Sequence, residues 1–268
     1  MAFIETEQNG EVFVIRLNRP ERLNALGVEL DQQLRAALRD FATNSAEVAI
    51  LTGTGRGFCA GEDLKETAVR GVPTGDAVDA VHAGDLYGML EIEKPFIAAV
   101  NGFAMGGGFM LVANSDLRVS VSDAVFEVSE AKRWLLGGVT HGHSAGLPMA
   151  VTAEMAFGLR FDAERLHQLG FINRVVPTVN DLMGTAHAMA DHLLSLPPAA
   201  RVNTTRMLRA MRPRLDSRLA AFADALREHG AASDLVESRR AFAEKRPPVY
   251  RGWDDPADRA RGPVLGGG

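Results

Sequence analysis

A single cysteine, Cys59, is all that a chain of 268 residues contains, so no intrachain disulfide can form. Cationic excess is also missing. Lysine and arginine number 29 against 34 acidic residues, giving a formal net charge of -5 and no basic stripe. A nucleic-acid surface is therefore not indicated. No apolar run approaches the roughly 18 residues that a membrane span needs. The opening "MAFIETEQNG" lacks the basic-then-apolar pattern of a signal peptide. No repeat of fixed period is visible. The expectation is a soluble, cytoplasmic protein with no membrane or nucleic-acid partner. Hydrophobic residues supply 46% of the chain, enough for a sizeable core in one large domain or one domain with an appendage.

Short strands and helices alternate through most of the sequence, which predicts an α/β fold. "EVFVIRL" (11–17) is rich in β-branched residues at strand spacing and is broken by Pro20. Over 28–41, Leu30, Leu34, Leu38 and Phe41 recur at helical spacing. "EVAILTG" (47–53) and "FIAAVNG" (96–102) read as short buried strands, and "LRVSVSDAVFEV" (117–128) as two strands about a turn. "RFDAERLHQLGFINRVVP" (160–177) reads as a helix capped near Asp162, stopped at Gly170 and followed by a strand. Beyond Pro197-Pro198 three helical segments follow one another without strands. This sets a boundary near 197, between a 1–196 core and a 197–268 helical region. Such a helical region can pack on a neighbouring subunit or on its own core. The closing "RGPVLGGG" reads as a mobile tail.

Two glycine stretches stand out, "TGTGRGFCAGEDLKE" (52–66) and "NGFAMGGGFMLVANSD" (101–116). Each follows a strand and leads into a helical pattern. Amides at a helix start are unpaired and, with the helix dipole behind them, stabilise negative charge. Glycine lets the backbone approach a ligand without an intervening Cβ. Two such turns converging on one point would supply paired N–H donors to an oxyanion, where losing one donor typically costs about 2.7–4 kcal/mol of barrier. Taken alone, either stretch reads first as a packing feature, since glycine-rich turns after strands are common. Neither is a Walker motif or a dinucleotide fingerprint.

In order along the chain stand "NRPERLNAL", "GFCAGEDLKE", "AAVNGFAMGGGF", "FEVSEAK", "LGFINRVVP" and "AFAEKRPPVYRG". Together, over about residues 11–252, they resemble the crotonase superfamily, the enoyl-CoA hydratases and isomerases. The resemblance implies a crotonase-like spiral of ββα turns, a C-terminal helical trimerisation region and acyl-CoA thioesters as substrates. It implies a homo-oligomer, a trimer or hexamer. It implies no metal and no redox cofactor, coenzyme A arriving as part of the substrate. By motif position the oxyanion amides fall on Glu62 and Gly107.

Hydratases of this family usually carry two glutamates, one activating water and the other helping to position it and deliver a proton. One of these places is Met110, which can neither accept nor donate a proton. The other is Glu130, which the resemblance makes the principal acid/base. One glutamate suffices for proton transfer along an enolate, so Δ3,Δ2-enoyl-CoA isomerase and hydroxycinnamoyl-CoA hydratase-lyase activities stand beside hydration. Glu62 offers its side chain as a second acid/base candidate. Coenzyme A contacts are implied for Arg22, Leu23, Ala25, Ala60, Asp63 and Leu64, with Phe242 and Lys245 reaching the nucleotide. Arginine and lysine suit phosphates. The segment after Glu130, "RWLLGGVTHG", lacks the family's usual proline and carries Trp134, so a straight-chain acyl group is not assumed. Gly138 stands where the family's dehalogenases place an aspartate, which argues against that chemistry. The glycine-rich stretch 67–86 is expected to border the acyl end.

Rival readings exist. "GHSAG" (142–146) matches a serine-hydrolase elbow with Ser144 as nucleophile and His187, His192 or His229 as base. The preceding "LLGGVTH" is a poor strand, and no histidine precedes the triple glycine. A catalytically silent acyl-CoA-binding module would keep the fold without the second glutamate. His141 and His143 lack the companion ligands of a metal site and read as a loop pair. Cys59 reads as a small buried packer.

Overall fold

The computed structural model describes residues 2–70, 85–133, 136 and 138–266. Among these residues ten strands form two sheets. The larger runs β1 (Ile4–Asn9), β2 (Val12–Leu17), β3 (Val48–Gly53), β5 (Phe96–Val100), β7 (Leu117–Val121) and β10 (Arg174–Val176) in spatial order. Apart from the antiparallel β1–β2 hairpin, its neighbours are parallel. The smaller runs β4 (Gly57–Cys59), β6 (Phe103–Met105), β8 (Val125–Glu127) and β9 (Arg160–Asp162).

The chain order explains this layout. β3 leads through a short corner to β4 and then helix α2 (Leu64–Arg70). β5 repeats the step through β6 to α3 (Gly107–Asn114), and β7 through β8 to α4 (Gly138–Ser144). Each turn gives its first strand to the large sheet and its second to the small one. Because β3, β5 and β7 are parallel neighbours, as are β4, β6 and β8, successive turns stack with their strand-to-helix corners in register. That is the expected spiral of ββα turns. Buried asparagines fasten the corners. Asn24 donates to the carbonyls of Gly57 and Phe58, and Asn101 to those of Gly55 and Gly57 while accepting from the amide of Gly53. Such bonds satisfy carbonyls that the turn withdraws from the ladder.

Strands β3 and β5 are buried along almost their whole length, which explains their continuous apolar runs. Helix α1 (Val28–Thr43) lays Leu30, Leu34, Leu38 and Phe41 into the core at the expected spacing. Asp162 caps α6 (Ala163–Gln168) by accepting from the amide of Arg165 at 2.7 Å, and Gly170 follows at φ +78°. The expected order of cap, helix, glycine and strand is present, with the short β9 ahead of it. β1 was not anticipated. Its IETEQN sequence is almost wholly exposed and lacks alternation because it is an edge strand with little to bury.

Two further helices complete the core region. α5 (Met149–Ala156) packs on α4, and α7 (Val179–Leu194) packs on β3, β5, β7 and β10. Helix α8 then begins at Pro198, and α8 (Pro198–Ala210), α9 (Ser217–Arg227) and α10 (Ala232–Glu244) are the expected helical run. These helices fasten to the chain's own core. Buried Arg209 of α8 pairs with Asp116 at 2.7 Å and donates to the carbonyl of Lys94. Arg201 pairs with Glu47, also at 2.7 Å. Helix α10 packs against α2.

Candidate active site

A cavity of about 530 Å3 opens where the corner after β4 meets the corner after β6. The two corners touch backbone to backbone. A Cβ on Gly108 would sit 2.1 Å from the carbonyl oxygen of Cys59, and one on Gly61 2.6 Å from that of Met105. Only glycine allows this approach. Gly106, at φ +49° and ψ -116°, turns the chain from strand into helix in a conformation closed to other residues. The triple glycine thus has separate jobs at its first and last positions, while its middle residue, Gly107, presents an amide.

That amide belongs to the first residue of α3 and has no place in the helical ladder. On the other corner, Leu26 and Glu62 form a parallel bridge. The amide of Leu26 donates to Gly61 and that of Asp63 to Leu26. This ladder uses the Gly61 carbonyl and the Asp63 amide on either side of Glu62 and turns the Glu62 N–H the other way. Neither amide has an acceptor among the described residues. Gly61 brings the corners so close that its Cβ would lie 3.2 Å from the nitrogen of Gly107.

Of the residues proposed from sequence, Arg22, Leu23, Ala25, Ala60, Glu62, Asp63, Leu64, Gly107, Glu130 and Phe242 all line this cavity; Lys245 does not. The side chain of Glu62 is engaged, accepting from Thr67 Oγ1 at 2.6 Å. Asp63 is buried, pairs with Arg19 at 2.9 Å and accepts from the first amides of α2, so its carboxylate serves the fold. Met110 is buried in the core and is not among the lining residues.

Glu130 follows β8 by three residues. Its Oε1 lies 2.9 Å from His141 Nε2, at ion-pair distance without hydrogen-bond alignment, and its Oε2 is buried with no partner among the described residues. Burial acts to raise the Glu130 pKa most strongly, yet the charge and contact of His141 outweigh it and hold the carboxyl below its ordinary value. His141 itself is on α4, with a side chain only 1% exposed. The expected loop pair of histidines is therefore corrected: both lie in a helix, and His141 is buried against the Glu130 carboxylate. Nothing in local sequence signals this contact, because an eleven-residue separation across a turn has no periodic signature.

Sequence reasoning also missed Glu127 and Arg133, which line the cavity. Glu127 accepts from Ser129 at 2.6 Å, from Lys132 at 3.0 Å and from Arg160 at 2.6 Å. Burial acts to raise its pKa, but these three donors hold the carboxyl down at about 2. Arg133 stacks its guanidinium 4.5 Å above the Phe242 ring, which brings a cation and α10 to the cavity mouth.

The competing motifs resolve structurally. Ser144 is the last residue of α4, at the end of a helix rather than at a strand-to-helix turn, so GHSAG forms no nucleophile elbow. His229 accepts from Trp253 instead. Cys59 is fully buried, and burial pushes its thiol up to about 12. No cluster of three metal-ligating side chains and no helix long and apolar enough to cross a membrane is present among the described residues. Trp134 and most of the 67–86 stretch lie outside those residues.

The chain is 34% identical over 256 residues to the carnitinyl-CoA dehydratase of Citrobacter koseri, covering 91% of this chain and 97% of that protein. Among solved structures, a carnitinyl-CoA hydratase from Mycobacterium avium superposes with a TM-score of 0.78 at 30% identity, covering 93% of this chain and 98% of that one. An enoyl-CoA hydratase/isomerase from Mycobacterium paratuberculosis superposes with a TM-score of 0.72 at 28% identity, covering 91% and 98%. The enoyl-CoA hydratase/isomerase family profile matches residues 7–253. The spiral, the paired corners and these matches agree: the chain is an enzyme of the lyase class and belongs to the enoyl-CoA hydratase/isomerase family.

Proposed function

We propose that the enzyme interconverts 3-hydroxyacyl- and 2-enoyl-CoA thioesters with Glu130 as its acid/base. One observation carries this reading. Two unpaired corner amides and the Glu130 carboxylate, one oxygen of which is buried without a partner among the described residues, meet at a single cavity. The thioester oxygen sits on the amides of Glu62 and Gly107, which stabilise negative charge as it develops. For dehydration, Glu130 takes the proton from the α-carbon and the electron pair moves to the carbonyl oxygen. The enolate then re-forms its carbonyl and makes the double bond as the β-carbon–oxygen bond breaks. The proton on Glu130 passes to the departing hydroxyl and leaves as water. Hydration is the reverse. One carboxyl thus serves both steps, which fits a chain with Met110 at the other glutamate's place. The same economy suits isomerisation, where Glu130 would return the proton to the γ-carbon, and this is the second reading.

Arg22, Leu23, Ala25, Ala60, Asp63 and Leu64 would form the coenzyme A side of the cavity, with Phe242 at its mouth and Lys245 beyond it toward the nucleotide. No step calls for a metal or redox cofactor. A cytoplasmic trimer or hexamer completes the proposal, supported by exposed Met207, Leu208 and Met211 on and just past α8. Sedimentation at several concentrations checks that part. The activity is tested by offering carnitinyl-, crotonyl-, 3-enoyl- and hydroxycinnamoyl-CoA side by side and identifying products by mass. Water gain or loss supports hydratase chemistry. Product of unchanged mass with a shifted double bond supports the isomerase reading. No turnover of any thioester, with binding intact, would favour a silent binding module.

A further inference from the structure

Glu130 and His141 divide the space beside the cavity unequally. The carboxylate lines the cavity, whereas the imidazole lies behind it and is not among the lining residues. The mount of His141 is rigid. A Cβ on Gly138 would lie 3.0 Å from the Cα of Ala156, and one on Gly142 3.0 Å from that of Thr152. These two glycines, four residues apart on α4, let it sit directly on the backbone of α5. His141, between them, is held against Glu130 with little freedom to withdraw.

Few other charges compete for this imidazole. Helix α3 carries no titratable side chain. Glu154 of α5 pairs with Arg165 at 2.8 Å. Glu127 is engaged by Lys132 and Arg160, and Arg133 stacks on Phe242. His143 lies two residues along the same helix and is half-buried. Glu130 is the acidic group in contact with His141 among the described residues.

Resting on the acid/base reading of Glu130 above, we infer that His141 is its positioning partner, keeping the carboxylate oriented and ionised where Met110 offers no second carboxyl. The proton path is unchanged. The substrate proton goes to a Glu130 oxygen and returns from it, and His141 takes no part in that transfer. A buried carboxylate without this neighbour would resist ionisation and be a poor base near neutral pH.

The test compares wild type, H141Q, H141F and E130Q on whichever thioester turns over. H141F should lower kcat roughly tenfold to a hundredfold at mildly acidic pH, with KM within about twofold. The loss should shrink as pH rises, because the carboxylate then ionises unaided. H141Q, which keeps an N–H donor, should fall between. A loss equal at every pH, or no loss, would overturn the inference. Should the variants fail to fold by circular dichroism, the side-chain carboxyl of Glu130 can be followed by 13C NMR in the wild type, assigned by its absence in E130Q. Titration below 4.5 supports the inference and titration at or above it refutes it. Normal turnover by E130Q would instead defeat the acid/base reading, so the two failures are distinguishable.

Discussion

The two walls of the cavity are built differently. One wall is backbone: corners at 59–62 and 105–108 touch through carbonyls and amides, and their shape depends on where side chains are absent. The other wall, with Glu127, Ser129, Glu130 and Arg133, is side-chain charge held by tertiary contacts. Even within that second wall the two carboxylates differ. Glu127 is saturated by Ser129, Lys132 and Arg160, whereas Glu130 meets one histidine and keeps an oxygen unpartnered. Saturation makes a structural anion; the unpartnered oxygen leaves a place for a substrate proton.

That contrast can be broken by mutation. The largest effect is expected for E130Q, which keeps shape and removes the base. Its kcat should fall roughly 100- to 10,000-fold in steady-state assays while thermal unfolding changes little. The backbone wall comes next. Gly108→Ala forces a Cβ onto the Cys59 carbonyl, so stability should drop by about 1–3 kcal/mol in urea unfolding, with activity falling as the amides part.

A smaller effect belongs to Glu127. Its folded pKa of about 2 lies below the ordinary 4.5, so its contribution is fully present above 4.5 and is lost as pH falls toward 2. E127Q should therefore unfold about 1 kcal/mol more easily at neutral pH, because Lys132 and Arg160 are partly exposed and screened. The gap between the two proteins should narrow on acidification, and urea midpoints across pH measure it. Smallest of all is the cavity mouth. F242A should raise KM several-fold through lost contact with Arg133 and the ligand, whereas K245A, outside the lining, should change KM by less than about twofold.

The same contrast explains what could be read from sequence. Backbone corners demand glycine at fixed places, and a glycine requirement is written directly in the chain; Gly61, Gly106 and Gly108 could be found without coordinates. Buried strands β3 and β5 were legible as apolar runs, and Asp162 and Gly170 as helix punctuation. Edge strand β1 was not, since exposed pairing leaves no apolar pattern. Nor was the Glu130–His141 contact. It depends on α4 sitting against α5 at the close approach that Gly138 and Gly142 permit, and in sequence these glycines look like part of a loop or an elbow motif. Arg133 over Phe242 joins residues more than a hundred positions apart and had no local sign either.

The central claim is that the corner amides and the Glu130 carboxylate act on one thioester. Its most direct measurement is hydrogen exchange at the α-carbon of a saturated acyl-CoA in D2O, followed by mass spectrometry. This needs no knowledge of the natural acyl group and no complete turnover. The wild type should incorporate deuterium at the α-carbon, and E130Q, still folded and still binding the thioester, should not. Equal incorporation by both proteins would contradict the account.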